Sequence, residues 1–335
     1  MKEMAVLEVK NLSIDYLTRT GTVKAVDDIS FSVNQRETIG LVGESGCGKS
    51  TTGTAILKLL PPNARISGKI LFKGKDLSKM SNEEIRKIRG EGISMIFQDP
   101  MTSLDPIMRI RDHFFELIRA HYPKMDEEEM RKIATDALKS VGIDGSRLDN
   151  YPFEFSGGMR QRAMIALAIA LKPSILIADE PTTSLDVVVQ EQILEVLRDL
   201  KKSKNMSMIL ITHDLGVVAE LVDKVIVMYA GHLAEEGDVY SIYEKPLHPY
   251  TKALLESIPN VKLEDRELRF IPGSLPDLKN PPKGCRYWPR CPYAKDICKT
   301  KTPPTFEVDG RKVKCWLYGG EESARDENRT SVAES

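Results

Sequence analysis

Gly43-Glu44-Ser45-Gly46-Cys47-Gly48-Lys49-Ser50 is a glycine-rich run that closes on a lysine and a hydroxyl. It follows the apolar segment ETIGLV and leads into Ser50 to Leu60, which reads as a helix stopped by Pro61-Pro62. Glycines in this pattern let the backbone curl so that successive N–H groups converge on an anion, and the helix N-terminus adds a favourable dipole. The pattern GxxxxGK[ST] is complete and sits between a strand and a helix, so the chemistry it predicts is the cradling of a triphosphate. Lys49 would reach the β- and γ-phosphates and the Ser50 hydroxyl would ligate Mg²⁺. Ser45, Gly46, Cys47, Gly48 and Thr51 complete the nucleotide-binding set. Cys47 fills a variable position and offers mainly its backbone amide, because a reactive cysteine needs an exposed thiolate.

A second constellation is Ile175-Leu176-Ile177-Ala178-Asp179-Glu180, an apolar strand that delivers two adjacent carboxylates at its C-terminal end. That is where ligands bind in open α/β sheets. Asp179 suits the Mg²⁺ shell, and Glu180 is placed to act as general base toward an attacking water. Alone, such a pair is a solvated strand end; beside a phosphate loop it is half of a hydrolytic site.

Cysteines make a third group. Cys47 stands apart, whereas Cys285, Cys291, Cys298 and Cys315 crowd toward the C-terminus. In a reducing compartment that grouping points to metal binding more than to structural disulfides. Four thiolates can hold Zn²⁺ or a [4Fe–4S] cluster, with Tyr287, Trp288, Pro289 and Pro292 as apolar shelter. Their separations differ from the tight CxxC pairs of most zinc sites, and free or disulfide-linked thiols are the remaining alternative.

The elements that must position these residues follow from periodicity. Leu7 to Val42 alternates apolar and polar residues as half-buried strands do. Ser81 to Arg89, Asp126 to Val141, Ser156 to Leu171 and Val188 to Lys201 read as helices, the first two with serine and aspartate as N-caps. Ser174 to Ala178, Met208 to Thr212 and Lys224 to Tyr229 are short apolar runs suited to buried strands. Strands alternating with helices imply a parallel sheet covered on both faces, with a mostly helical insertion over about residues 99–171. After Tyr250 the segment IPGSLPDLKNPPKG reads as an extended linker, and the aromatic-free end of the chain reads as disordered.

The chain has 335 residues, 41% hydrophobic and 29% charged, and a formal net charge of −1. That length allows one large domain with an appendage, and the balance gives no global electrostatic reason to bind nucleic acid. No apolar run reaches the roughly 18–20 residues that span a bilayer, and the N-terminus is too charged for a secretory signal. A cytoplasmic protein is expected, reaching any membrane through a partner.

Phe155-Ser156-Gly157-Gly158-Met159 lies shortly before the acidic pair and resembles the LSGGQ signature of the ATP-binding cassette superfamily. Other pieces follow in that family's order: Gln98 after the run Ile93 to Phe97 resembles the Q-loop glutamine, which touches Mg²⁺ or water, Ser184-Leu185-Asp186 the D-loop, His213 the switch histidine and Tyr16 the aromatic residue that stacks on adenine. The resemblance implies a P-loop NTPase (RecA-like) α/β fold with an N-terminal antiparallel β region, an inserted helical subdomain and a small C-terminal cysteine-rich extension. The resemblance extends to about Tyr250, so the expected domains are residues 1–250 and an extension at 251–317, and the polar composition of 318–335 marks a disordered tail. The resemblance also implies an ATP sandwich of two subunits. One supplies the phosphate loop, Gln98, Asp179, Glu180 and His213; the other supplies Ser156, Gly158 and Met159.

QDPMTSLDP at 98–106, FSGGMRQR at 155–162 and HPYTKALLESIP at 248–259 narrow the resemblance to the ATPases of oligopeptide and dipeptide importers. By that resemblance the chain hydrolyses ATP at the cytoplasmic face of the cell membrane. Its partners would be a second, paralogous ATPase, two membrane-spanning permease subunits and an extracytoplasmic peptide-binding protein. Members of that subfamily carry a C-terminal iron–sulfur motif that all four clustered cysteines fit. The competing reading, a cassette ATPase acting in DNA repair or on the ribosome, lacks the coiled coils, zinc modules or second cassette that such proteins carry.

Overall fold

The computed structural model describes residues 5–99, 103–183, 185–203, 206–257 and 271–319. Ser184 of the expected D-loop, part of QDPMTSLDP and the tail from residue 320 lie outside them.

The chain opens with two long strands, β1 (Ala5–Thr18) and β2 (Gly21–Asn34), paired antiparallel through several register shifts. β3 (Thr38–Val42) leads through the glycine-rich loop to α1 (Lys49–Ile56), and β4 (Ala64–Phe72) and β5 (Lys75–Asp76) return to pair beside β1. These strands give an antiparallel sheet in the order β2-β1-β4-β5. α2 (Asn82–Ile88) begins at Ser81 with the expected cap, reinforced by a reciprocal bond from Glu84. β6 (Ile93–Ile96) then precedes three helices of the insertion, α3 (Ile110–His121), α4 (Glu127–Ser140) and α5 (Gly157–Ile169).

β7 (Ile175–Asp179), α6 (Val187–Ser203), β8 (Ser207–Thr212), α7 (Leu215–Leu221) and β9 (Lys224–Tyr229) continue the alternation. β10 (His232–Asp238), α8 (Val239–Glu244) and α9 (Pro249–Glu256) follow. Near the C-terminus come a short helix, α10 (Asp296–Thr300), and the hairpin β11 (Phe306–Val308) with β12 (Arg311–Val313). The large sheet has the order β11-β12-β10-β9-β3-β8-β7-β6. Its central strands are parallel, and β10, β12 and β11 are antiparallel additions at one edge.

Alternation along β7 shows how both faces are filled. Ile175 and Ile177 join the core shared with β1 and β2, while Leu176 and Ala178 join the core under the inserted helices. No helix among the described residues is long and apolar enough to cross a membrane.

The C-terminal region departs from the sequence reading. The stretch 271–284 carries no helix or strand, as expected of a linker, yet it is packed down. Ile271, Leu275 and Leu278 lie against the main core, and the Leu278 carbonyl accepts the Lys24 N–H at 2.9 Å. The β11–β12 hairpin joins the large sheet through β10. Glu235 on β10 is fully buried. It accepts the N–H groups of Leu247 and His248 and lies 3.6 Å from the Arg311 guanidinium, which also donates to the carbonyls of Ser241 and Lys245. Removing one partner of a buried ion pair leaves the other uncompensated. Arg311→Ala is therefore expected to cost about 3 kcal/mol of stability, read as a lowered midpoint in urea or thermal unfolding.

Candidate functional site

The glycines of the phosphate loop are required by close approach. Gly43 has φ +148° and Gly48 φ +104°, both in the region that favours glycine. A Cβ on Gly43 would lie 2.1 Å from the Met228 carbonyl oxygen, and one on Gly48 would lie 2.6 Å from that of Ala25. The loop therefore runs pressed between β9 and β2. It delivers α1 with no side-chain cap and no acidic residue in its first turn. The N–H groups of Lys49, Ser50 and Thr51 thus have no intrahelical acceptor and are available to an anion. Lys49 is buried, and its ammonium donates to the carbonyls of Gly43 at 2.8 Å and Glu44 at 3.1 Å. Cys47 is fully buried, and burial raises its thiol pKa, which agrees with a packing and backbone role. The Tyr16 hydroxyl lies 3.5 Å from Thr51 Oγ1, at the limit of a hydrogen bond, so the structure brings the aromatic residue to the loop's helix.

The acidic pair closes the other side. Ser50 Oγ donates to Asp179 Oδ1 at 2.9 Å, so two of the three predicted Mg²⁺ ligands are adjacent, while the third, Gln98, donates to Glu180. These hard oxygen donors suit Mg²⁺. Burial raises the Asp179 pKa from 3.8 to about 6; the Ser50 hydrogen bond and Lys49 oppose that shift, and Glu180 adds to it. Glu180 follows with φ +45°, a left-handed backbone for a residue with a Cβ, and its N–H donates to the Ile211 carbonyl at 2.8 Å. Backbone strain of this kind clusters at functional sites. Its carboxylate is held at both oxygens. Gln98 Nε2 donates to Oε2 at 2.9 Å, Thr183 Oγ1 donates to the same oxygen at 3.0 Å, and His213 Nδ1 lies 3.2 Å from Oε1. Strands β6, β7 and β8 are adjacent in the sheet, which is why Gln98, Glu180 and His213 meet although scattered in sequence. Thr183 is a partner the sequence reading missed.

The Ser-Gly-Gly segment begins α5. Ser156 is its N-cap and accepts the Met159 N–H at 3.3 Å. Ser156 and Gly157 are exposed, whereas Gly158 is packed so tightly on α6 that a Cβ would meet Val189 at 2.5 Å. Phe155 is buried, and the Met159 side chain packs on the core. Within the expected D-loop, Asp186 caps α6 by accepting the Val189 N–H at 3.0 Å.

The expected metal site at the C-terminal cysteines is corrected. Among the described residues no three His, Cys, Asp or Glu side chains are arranged to hold a metal ion. Cys285, Cys291, Cys298 and Cys315 are free thiols, the last two buried. Burial pushes the metal-free Cys285 thiol up to about 12 and Cys315 to about 11, and raises Cys291 as well. Neither the [4Fe–4S] cluster nor zinc is retained.

A phosphate loop opposite a strand-end acidic pair defines a nucleoside triphosphatase of the P-loop class. A family model described as ABC transporter matches residues 26–183, and one described as oligopeptide/dipeptide transporter, C-terminal region, matches 234–298. The dipeptide transport ATP-binding protein of Bacillus subtilis is 50% identical over 317 residues, covering 93% of this chain and 94% of its own. The oligopeptide transport ATP-binding protein of the same organism is 49% identical, covering 93% and 88%. Among solved structures, a dimeric ATP-binding cassette in a post-hydrolysis state bound to ADP and phosphate matches with a TM-score of 0.63 at 27% identity, covering 70% of this chain and 98% of that one. The chain belongs to the ABC transporter family, as one of its peptide-transport ATP-binding proteins. It is an ATPase.

Because folding favours the protonated form of Asp179, its contribution to stability is full below pH 3.8 and is lost as the pH rises through about 6. Asp179→Asn is expected to stabilise the metal-free protein at neutral pH by on the order of 1–3 kcal/mol. Thermal unfolding in a chelator should show a gain that shrinks as the pH falls through 6 toward 4.

Proposed function

We propose that this protein couples ATP binding and hydrolysis to the uptake of dipeptides or oligopeptides through membrane-spanning permease subunits. The observation that carries the hydrolytic part is the Glu180 carboxylate, fixed by Gln98, Thr183 and His213 beside Asp179. The peptide part rests on the relatives, which are named for dipeptide and oligopeptide transport.

Lys49 and the first-turn amides of α1 bind the β- and γ-phosphates, Ser50 and Asp179 would hold the Mg²⁺ that accompanies ATP, and Tyr16 stacks on adenine. Mg²⁺ would neutralise charge on the phosphates. Glu180 accepts the proton of the attacking water, while Gln98 and His213 keep its carboxylate aimed and respond to the γ-phosphate. Ser156, Gly158 and the Met159 N–H act on the nucleotide of a second subunit, and the partly buried Met159 side chain, packed on the core, leaves that contact to the backbone. The second subunit is a related cassette, and a peptide-binding protein outside the membrane completes the assembly. Residues 1–250 serve as the ATPase domain, with a helical subdomain over about 99–171, and residues 251–317 as an extension. The whole lies against the cytoplasmic face of the membrane.

Glu180→Gln keeps the shape and one acceptor oxygen but removes the base. Phosphate release is expected to fall about 10²- to 10⁴-fold, while equilibrium binding of ATP is retained. Uptake of a radiolabelled dipeptide and oligopeptide series should disappear in cells lacking this chain and return with the wild type but not with Glu180→Gln. Unchanged uptake in the deletion would overturn the peptide assignment.

A further inference from the structure

Glu44, the second residue of the phosphate loop, is gripped by residues far along the chain. Arg290, on a short turn beside Cys291, is 5% exposed in its side chain and forms a two-pronged pair with Glu44, Nη1 to Oε2 at 2.7 Å and Nη2 to Oε1 at 3.0 Å. Its remaining donors are also engaged: Nε with the Pro272 carbonyl at 2.8 Å, Nη2 with that of Ile271 at 3.2 Å and Nη1 with the Tyr229 hydroxyl at 3.3 Å. A guanidinium has five N–H donors, so this one is spent on a single orientation. The Glu44 N–H itself donates to the hydroxyl of Tyr250 at 2.9 Å, and Tyr250 is fully buried against Tyr229 and Tyr287, with ring centroids 4.6 and 5.3 Å away. Further along the loop, a Cβ on Gly46 would lie 3.9 Å from Leu275, and the Cys47 carbonyl accepts the Gly231 N–H at 2.9 Å.

We propose that Arg290 and Tyr250 are positioning residues for ATP binding: through Glu44 they fix the phosphate loop, so residues more than 200 positions further along the chain set the nucleotide affinity of a site they do not themselves form. Two effects combine. The loop's amides must converge on phosphate without rearranging, and a loop held at side chain and backbone is preorganised for that. In addition, Glu44 carries a negative charge beside a site for a polyanion, and Arg290 neutralises it. The inference rests on the reading of the loop as an ATP site.

The test measures binding of a fluorescent ATP analogue, and separately kcat and KM for ATP hydrolysis, in the full-length protein. Arg290→Ala is expected to raise both Kd and KM about tenfold with a smaller change in kcat, and Arg290→Lys to recover part of the loss. Tyr250→Phe, which deletes only the hydroxyl, should weaken binding about threefold while folding normally. Because Arg290 acts through Glu44, the double variant Glu44→Gln/Arg290→Ala should bind no worse than Arg290→Ala alone. Arg311→Ala is the control, since it breaks a buried ion pair in the same region remote from the loop and should lower the unfolding midpoint while leaving Kd and KM unchanged. If Arg290→Ala and Tyr250→Phe lower stability but bind ATP as the wild type does, the contact is structural and the proposal fails. A wild-type protein that neither binds nor hydrolyses ATP would instead remove the ATPase reading beneath it.

Discussion

The phosphate loop has no room for a side chain where it crosses beneath the carbonyls of Met228 and Ala25. One carbonyl belongs to β9 of the large sheet and the other to β2 of the antiparallel sheet. The loop is therefore the seam between the two sheets, and its shape is dictated from both sides. Everything else at the site is referred to that seam: α1 leaves it with its first-turn amides free of a side-chain cap, and Ser50 meets Asp179 across it.

The second organising feature is a carboxylate that cannot wander. Glu180 sits at a left-handed position directly after a strand, and three side chains from neighbouring elements fasten both its oxygens. Parallel strands β6, β7 and β8 end on the same side of the sheet, so residues just past those ends meet although they are far apart in sequence. Burial makes the neighbouring Asp179 costly to ionise, a burden that a bound divalent ion would relieve. Stability is given up where chemistry needs charge.

Much of this was legible in the residues. The glycine spacing announced the loop, and the apolar strand before Asp179-Glu180 announced the opposite wall. Ser81 and Asp126 announced helices that begin where capping chemistry says they should. Local signals of this kind are physical statements about one turn or one strand. The C-terminal region is not legible in this way because its meaning is not local. Prolines at 272–292 look the same whether the chain is loose or pinned to a core, and four nearby cysteines look the same as ligands or as packed thiols. Arg290 gives no signal for the same reason: its partner lies 246 positions earlier, and no sequence spacing encodes that meeting.

The order of the large sheet carries a further consequence for how the protein is made. Its edge beyond β10 is closed by β12 and β11, which come from residues 306–313, and the grip on Glu44 comes from residues 250 and 290. During synthesis the phosphate loop emerges well before its last restraints, since Arg290 follows Glu44 by 246 positions. Contacts of such sequence separation form late in folding, after the loop-closure entropy has been met. A nascent chain would thus carry a recognisable phosphate loop well before it carries a finished one, and the mature geometry would become available only once the whole cassette and its C-terminal segment had been made.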